Sequence, residues 1–386
     1  MRKTLTTEKL PIKLWLDEIE PSALEQARNL ANLPFAFHHV AIMPDAHQGY
    51  GMPIGGVMAT EGVIVPNAVG VDIGCGMCAA PTDLSGIDPA DLKKIMAGIR
   101  RLVPLGFNHH KTPRDERWMP GLGGKLPLVE QEYRSALTQI GTLGGGNHFI
   151  EIQRGSDGRV WLMIHSGSRN IGFRVANHYN QLAIDIGRKG RSAIPKAWQL
   201  AHLDLDSQVG QTYLAEMEYC VQFALRNRLL MLEMVKEALI EQMGEVAFGE
   251  VINIAHNYAA REVHFGREVL VHRKGATSAA AGQLGIIPGS QGSRSYIVRG
   301  LGNPESFRSC SHGAGRLMGR KEAQRSLDLE AEKARLDRQG IIHAIRSRRD
   351  LDEAAGAYKD IASVISAQSD LVEVMVELSP LAVIKG

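Results

Sequence analysis

The sequence predicts a mixed α/β (α+β) chain, a single large domain in which strands feed a central site and helices lie at the periphery. Three features carry that prediction: short β-like runs that end in polar residues, one long glycine-poor segment, and glycines gathered in three clusters. The β-like runs lie at 39–43, 160–164, 251–255, 269–272 and 296–298, each a short apolar stretch rich in Val and Ile. Over 204–245 the apolar residues Leu214, Met217, Val221, Ala224, Met231, Val235 and Leu239 recur near a 3.6-residue period, which predicts a helix with a core-facing stripe. Two further helical segments are expected at 321–344 and 351–377, making the C-terminal region from 321 to 377 helical, with its charges on solvated faces. No 20–50-residue repeat and no Ser- or Pro-rich linker divides the chain, so residues 1–386 read as one domain.

Composition narrows the function classes. Of 386 residues 44% are apolar and 22% charged, ample for a packed core and incompatible with disorder as the main state. Lys and Arg number 44 against 42 Asp and Glu, a formal charge of +2, so nucleic-acid binding has to come from a local patch. The N-terminus has no long apolar region, and no run reaches the roughly 18 apolar residues of a membrane span. A cytoplasmic protein with no membrane partner is expected. Four cysteines (Cys75, Cys78, Cys220, Cys310) are too few for a disulfide framework.

Eight glycines fall between Gly49 and Gly76, seven between Gly121 and Gly146, and ten between Gly275 and Gly319, whereas 191–243 has one. Glycine-rich segments of this kind suit either loops converging on a ligand or tight turns in a β-rich scaffold. The β-like runs favour the first reading, because they end in Asp45 and His47, in His165, in His256 and Asn257, and in His272, Arg273 and Lys274. Four histidines where buried strands emerge point to a shared site. Adding Asp72 and Cys75 of GVDIGCGMC and His148 of LGGGNHF brings together carboxylate, thiolate and imidazole, the donors of a transition metal, and suggests a dinuclear centre with a bridging sulfur. Cys78 and Cys310 read as small buried residues, although the glycine-flanked Cys75–Cys78 spacing also allows a disulfide once metal is stripped. No segment matches a P-loop: the stretch at 121–125 continues with Leu126. PGSQGSRS (288–295) and HGAGR (312–316) can offer backbone N–H groups to phosphate, with Arg316 adding a charged fork, and GRKGRS (187–192) is a candidate RNA-backbone contact.

These segments closely resemble the RtcB-type RNA ligases. The matching stretches are MPDAHQGYGMPIGGV (43–57), VGVDIGCGM (69–77), LGGGNHFIE (143–151), IHSGSRNIG (164–172), HNYA (256–259), VHRKGAT (271–277), PGSQGSRSYIV (288–298), SCSHGAGR (309–316) and IKG (384–386), in unbroken order along the chain. The resemblance implies GTP- and manganese-dependent joining of RNA ends, a 3′-phosphate or 2′,3′-cyclic phosphate to a 5′-hydroxyl, in RNA splicing or repair. It implies two Mn²⁺ ions per chain bridged by Cys75, one also held by Asp72 and His148, the other by His165 and His256. His312 would be the nucleophile that takes GMP, oriented by Asp45. Asn147, His148, Glu151, Asn257, Pro288, Gly289, Ser290, Gln291, Ser295, Gly313, Ala314, Gly315 and Lys385 would line the GTP pocket, and the family leaves room for an archease-like activator. Two rival readings stand beside it: a dinuclear-metal phosphoesterase, which leaves His312 without a nucleophile's task, and a non-catalytic protein that binds RNA ends or nucleotides.

Overall fold

In the computed structural model, which describes residues 1–190 and 192–386, two antiparallel-rich sheets meet at one residue of the candidate site. The seven-stranded sheet is antiparallel throughout. Its order is Ile252–Ala255, Gly76–Pro81, Val160–Ser166, Phe149–Gly155, Val372–Lys385, Ser295–Gly300 and Leu284–Ile287. The six-stranded sheet runs Lys3–Leu5, Ile12–Leu14, Ala36–His47, Ile54–Thr60, Arg267–Lys274, Asn257–His264, with one parallel pair between Ile12–Leu14 and Ala36–His47. The chain leaves the first sheet at Ala255 and enters the second at Asn257, so His256 is the hinge between them. All five β-like runs read from the sequence lie in or along strands.

The predicted long helix spans Gln208–Met243. Ser207 Oγ caps it by accepting from the Gly210 N–H (3.0 Å), and Gly244 ends it at φ +82°, a conformation glycine adopts without strain. It lies on the seven-stranded sheet: Cys78 and Ala80 share a core with its Met217, Phe223, Met231 and Val235. Met77 and Ala79, alternating with them along the strand, pack on the other face with Met163, Ile254 and Ile297. The interior is therefore built on both faces of the sheet that carries the site's cysteine.

The expected helix at 351–377 is corrected. Residues there form two 3₁₀ turns (Arg348–Glu353 and Ala355–Ala357), a short helix Ile361–Ser366 and the first part of the Val372–Lys385 strand. Val372, Val374 and Val376 alternate with other residues at period 2, and pairing on both edges with Ser295–Gly300 and Phe149–Gly155 outweighs the surrounding helix-favouring composition. The 321–344 segment is two helices, Arg320–Ser326 and Leu329–Arg338, interrupted where Asp328 caps the second by accepting from the Ala331 N–H. Helices at Pro21–Ala31, Pro89–Leu102, Pro127–Gln139 and Arg169–Lys189 were not expected, although three of them open on proline, a first-turn signal. The Gly187–Lys189 part of the basic GRKGRS segment closes the last of these, and Arg191 lies outside the described residues. Among the described residues no helix is long and apolar enough to cross a membrane.

Candidate metal centre and nucleotide site

Five donors form a connected string with Cys75 at its centre. Cys75 Sγ lies 3.4 Å from His148 Nε2 and 3.3 Å from His165 Nε2. On one side His148 Nε2 is 3.1 Å from Asp72 Oδ2, and on the other His165 Nε2 is 3.4 Å from His256 Nε2. The five donors arrive on four segments: Asp72 and Cys75 precede the Gly76–Pro81 strand, His148 precedes Phe149–Gly155, His165 ends Val160–Ser166 and His256 joins the sheets.

Hydrogen bonds set the tautomers. His165 Nδ1–H donates to the Asn147 carbonyl (3.2 Å), so its Nε2 lone pair faces the sulfur, while His148 Nδ1–H donates to the Leu143 carbonyl (3.0 Å) and its Nε2 lies between the sulfur and Asp72. Burial and the neighbouring histidines hold His165 and His256 well below the usual imidazole range, leaving them neutral. Burial pushes Asp72 upward, but hydrogen bonding to His148 and the charge near it outweigh this and hold its carboxyl at about 2. Burial and the Asp72 charge push the Cys75 thiol up, so without a cation the sulfur keeps its proton. A buried thiol and two imidazole nitrogens converging on one another are the donor set of a soft-to-borderline divalent ion, and Cys75, His148 and His165 are close enough to hold one.

Beside this string, His312 Nδ1–H donates to Asp45 Oδ2 (2.6 Å), and the His312 backbone N–H donates to the same oxygen (3.1 Å). The carboxylate is fully buried, and the His312 ring centroid lies 4.8 Å from that of His256. Asp45 is held in turn by Lys359, whose Nζ donates to the flanking Pro44 and Ala46 carbonyls (3.2 and 2.7 Å). Two glycines make the approach possible. Gly315, at φ +75°, passes so close to the Asp45 carbonyl that a Cβ would collide with it, and at Gly275 a Cβ would sit 3.1 Å from His312 Cε1.

Of the expected nucleotide residues, Gly313, Ala314 and Gly315 follow His312 directly in the chain. Gly313 lies against Pro288, with a Cβ there 3.4 Å from the Pro288 carbonyl, so the 288–295 and 312–316 loops adjoin. Gly289 N–H and Ser290 N–H are turned to Ser295 Oγ (3.2 Å) and Ser293 Oγ (2.7 Å), and Gln291 Nε2 to the Glu353 carbonyl (2.8 Å). Ala314 is buried within the second loop. Lys385 Nζ donates to the Asn147 carbonyl (3.3 Å) over the Phe149 ring. Burial pushes Glu151 up to about 8 against the opposing pull of Lys385 and of Gln153, which donates to it (2.6 Å). Asn257 has both amide ends engaged, Nδ2 with the Asp72 carbonyl (3.1 Å) and Oδ1 with the Gly275 N–H (2.8 Å), tying the metal loop to the loop under His312.

Three expectations need correction. His272 lies inside its strand, accepts the Val65 N–H at Nε2 (3.0 Å) and is a satisfied core histidine. Arg316 offers no free fork: it donates to Glu353 (3.0 Å) and to the Asp352 and Met318 carbonyls (2.6 and 3.0 Å). Cys78 is in the core under the long helix and pairs in register with Ile164 and Asn253, so it is not the loop thiol that a disulfide with Cys75 requires.

The sequence reading also missed the clamp beneath the site. Arg228 of the long helix is fully buried and donates to the Gly74 and Ser166 carbonyls (both 2.9 Å), to Asn253 Oδ1 (2.8 Å) and to the Ile254 carbonyl (3.3 Å). Asn227 beside it accepts the Gly141 N–H (2.7 Å) and donates to Ser166 Oγ and the Gly167 carbonyl (both 3.1 Å). One helical turn thus fixes the segments carrying Cys75, His165 and His256. The signal was present as a polar run, Arg226, Asn227 and Arg228, between apolar residues on both sides. Lys274 does similar work nearby, donating to the Tyr50 and Asn67 carbonyls (2.6 and 2.9 Å).

Comparison with known proteins meets this geometry. The family described as "tRNA-splicing ligase RtcB" matches residues 26–120 and 123–386. The RNA-splicing ligase RtcB of Escherichia coli K12 is 41% identical over 411 residues, covering 99% of each chain. The RNA-splicing ligase RtcB of Mycobacterium tuberculosis is 34% identical, covering 94% of this chain and all of its own. The tRNA-splicing ligase RtcB of Thermococcus kodakarensis is 32% identical, covering 94% and 91%. Sheets, metal-capable cluster and matches together define an RNA ligase. The chain belongs to the RtcB family.

Proposed function

We propose that this ligase joins an RNA 3′-phosphate or 2′,3′-cyclic phosphate to a 5′-hydroxyl end in the cytoplasm, using GTP and two Mn²⁺ ions, with 1–386 working as one domain. The carrying observation is the His312–Asp45 pair: Nδ1 is committed to the carboxylate, which leaves Nε2 as a lone pair beside the metal-capable string. Asp72 with His148, and His165 with His256, flank Cys75 as two donor pairs around one sulfur, which suits a bridging thiolate. Bound there, the ions would supply Lewis-acid neutralisation of phosphate charge.

His312 Nε2 attacks the α-phosphorus of GTP, forming a P–N bond as pyrophosphate leaves, while Asp45 stabilises the positive imidazole that results. A phosphate oxygen of the RNA 3′-end, released first by water opening the P–O2′ bond where the end is a 2′,3′-cyclic phosphate, then displaces His312 and takes the GMP, giving an RNA 3′-pp-5′-G end. The 5′-hydroxyl attacks the RNA-side phosphorus, and GMP leaves as the phosphodiester forms. Backbone N–H groups of the 288–295 and 312–316 loops, with Asn147, Glu151, Asn257 and Lys385 around them, are proposed to hold the nucleotide. An archease-like activator is compatible with this scheme.

Asp45→Asn keeps the shape but removes the anion that fixes the tautomer. We expect labelling with GTP and Mn²⁺, and ligation of 3′-phosphate and 5′-hydroxyl RNAs, to fall about 10²–10⁴-fold in that variant. Wild-type rates in Asp45→Asn would remove the pair from the mechanism. RNA cleavage in place of joining by the wild-type protein would favour a phosphoesterase.

A further inference from the structure

We propose that Phe107 is a stacking platform for the terminal nucleobase of an RNA end. The proposal rests on the RNA-ligase class of the chain and adds a substrate contact that none of the matching motifs contains.

Phe107 is 97% exposed, the most exposed large apolar residue among those described. Isolated apolar residues on a surface are ordinary, but this one sits on a fixed loop at the edge of the site. Gly106 N–H donates to the Gly144 carbonyl (3.1 Å) and Leu143 N–H to the Pro104 carbonyl (3.0 Å), so the loop is laced to the strand of residues that leads into Asn147 and His148. On the other side of Phe107 the Asn108 N–H and Nδ2 both donate to the Leu105 carbonyl (3.1 and 3.0 Å), closing a tight turn. The ring therefore stands in water on a backbone that costs little further ordering to use.

Its surroundings are those of a nucleic-acid contact. Arg169 packs its guanidinium on Gly144, where a Cβ would collide with it, and Nη2 reaches the Gly106 carbonyl (3.5 Å). Phe173, four residues on and so on the same face of the helix, is 52% exposed, and Lys111, four residues after Phe107 in the chain, is exposed. An exposed aromatic face on a loop that the Arg169 cation also reaches, at the edge of a phosphate-handling site, matches how single-stranded ends are held: stacking on the base, charge on the backbone. A base is the fitting occupant because every base offers a π-face, so the contact works without sequence preference.

The test uses the full-length protein and RNA ends carrying 2-aminopurine as the terminal base, on the 5′-hydroxyl strand in one arm and the 3′-phosphate strand in the other. Stacking should quench the fluorescence in at least one arm and so identify the end that is held. In Phe107→Ala the quench should disappear and the KM for that RNA strand should rise about 5- to 150-fold, the range that base–aromatic stacking supports. Phe107→Tyr should restore both, and Phe107→Leu should not. Val263→Ala, which alters an exposed apolar residue on the Asn257–His264 strand, is the surface control and should change neither. Quench in neither arm, or Phe107→Ala or Phe107→Leu behaving as wild type, would overturn the proposal. Because the quench is read without GTP, a protein that stacked RNA but failed to take GMP would contradict the proposed mechanism and leave this contact standing.

Discussion

Cys75→Ser protein should emerge from desalting with almost no manganese and should not ligate, while remaining folded. The sulfur stands at the centre of the string, within 3.4 Å of a histidine on each side, so its replacement weakens both halves together. Serine is a close match in shape, yet its hydroxyl keeps its proton where a thiolate can be stabilised by a cation. A loss of more than about 100-fold in metal affinity is expected, above the range typical of outer partners of metal ligands. Elemental analysis is the measurement. Two ions per chain retained in Cys75→Ser would mean that the donors form separate sites and that the sulfur bridges nothing.

The second large effect is expected at Arg228, far from any motif. Arg228→Met removes a buried cation that satisfies three carbonyls and Asn253 Oδ1, and leaves those acceptors without donors in the core. Unsatisfied buried acceptors cost about 1–3 kcal/mol each before relaxation, so a total loss of about 3–5 kcal/mol is expected in denaturant unfolding. Arg228→Lys should recover only part of it, because an ammonium cannot span acceptors on three segments as a planar fork does. Manganese affinity should fall with stability, since Gly74 and Ser166 are chain neighbours of Cys75 and His165. An Arg228→Met protein within about 1 kcal/mol of wild type would show that the clamp is dispensable.

These two positions also mark how far the sequence could be read. His165 and His256 were legible because each follows a short β-branched run, and Cys75 because it stands with Asp72 in a glycine-dense segment, patterns that survive without knowledge of the partners. The same logic misplaced His272, since a histidine in the middle of a buried strand and one at its end look alike until the strand's length is known. Arg316 was misjudged for a related reason: its partner Glu353 lies 37 residues away, and no local pattern announces a long-range ion pair. The Val372–Lys385 strand was hidden by a helix-favouring composition upstream, while the pairing that decides the matter comes from residues 149–155 and 295–300. Arg228 and Asn227 were legible only as polar residues within the helix, because a helical period reports which face is buried and says nothing of what a buried polar group holds.

The central claim is that His312, fixed by Asp45, carries GMP. Protein incubated with Mn²⁺ and α-labelled GTP, then digested and mapped, should give one labelled peptide containing His312, with a bond stable to alkali and labile to acid. His312→Ala should carry no label. Label retained in His312→Ala, or mapped to a lysine or to any other histidine, would contradict the account.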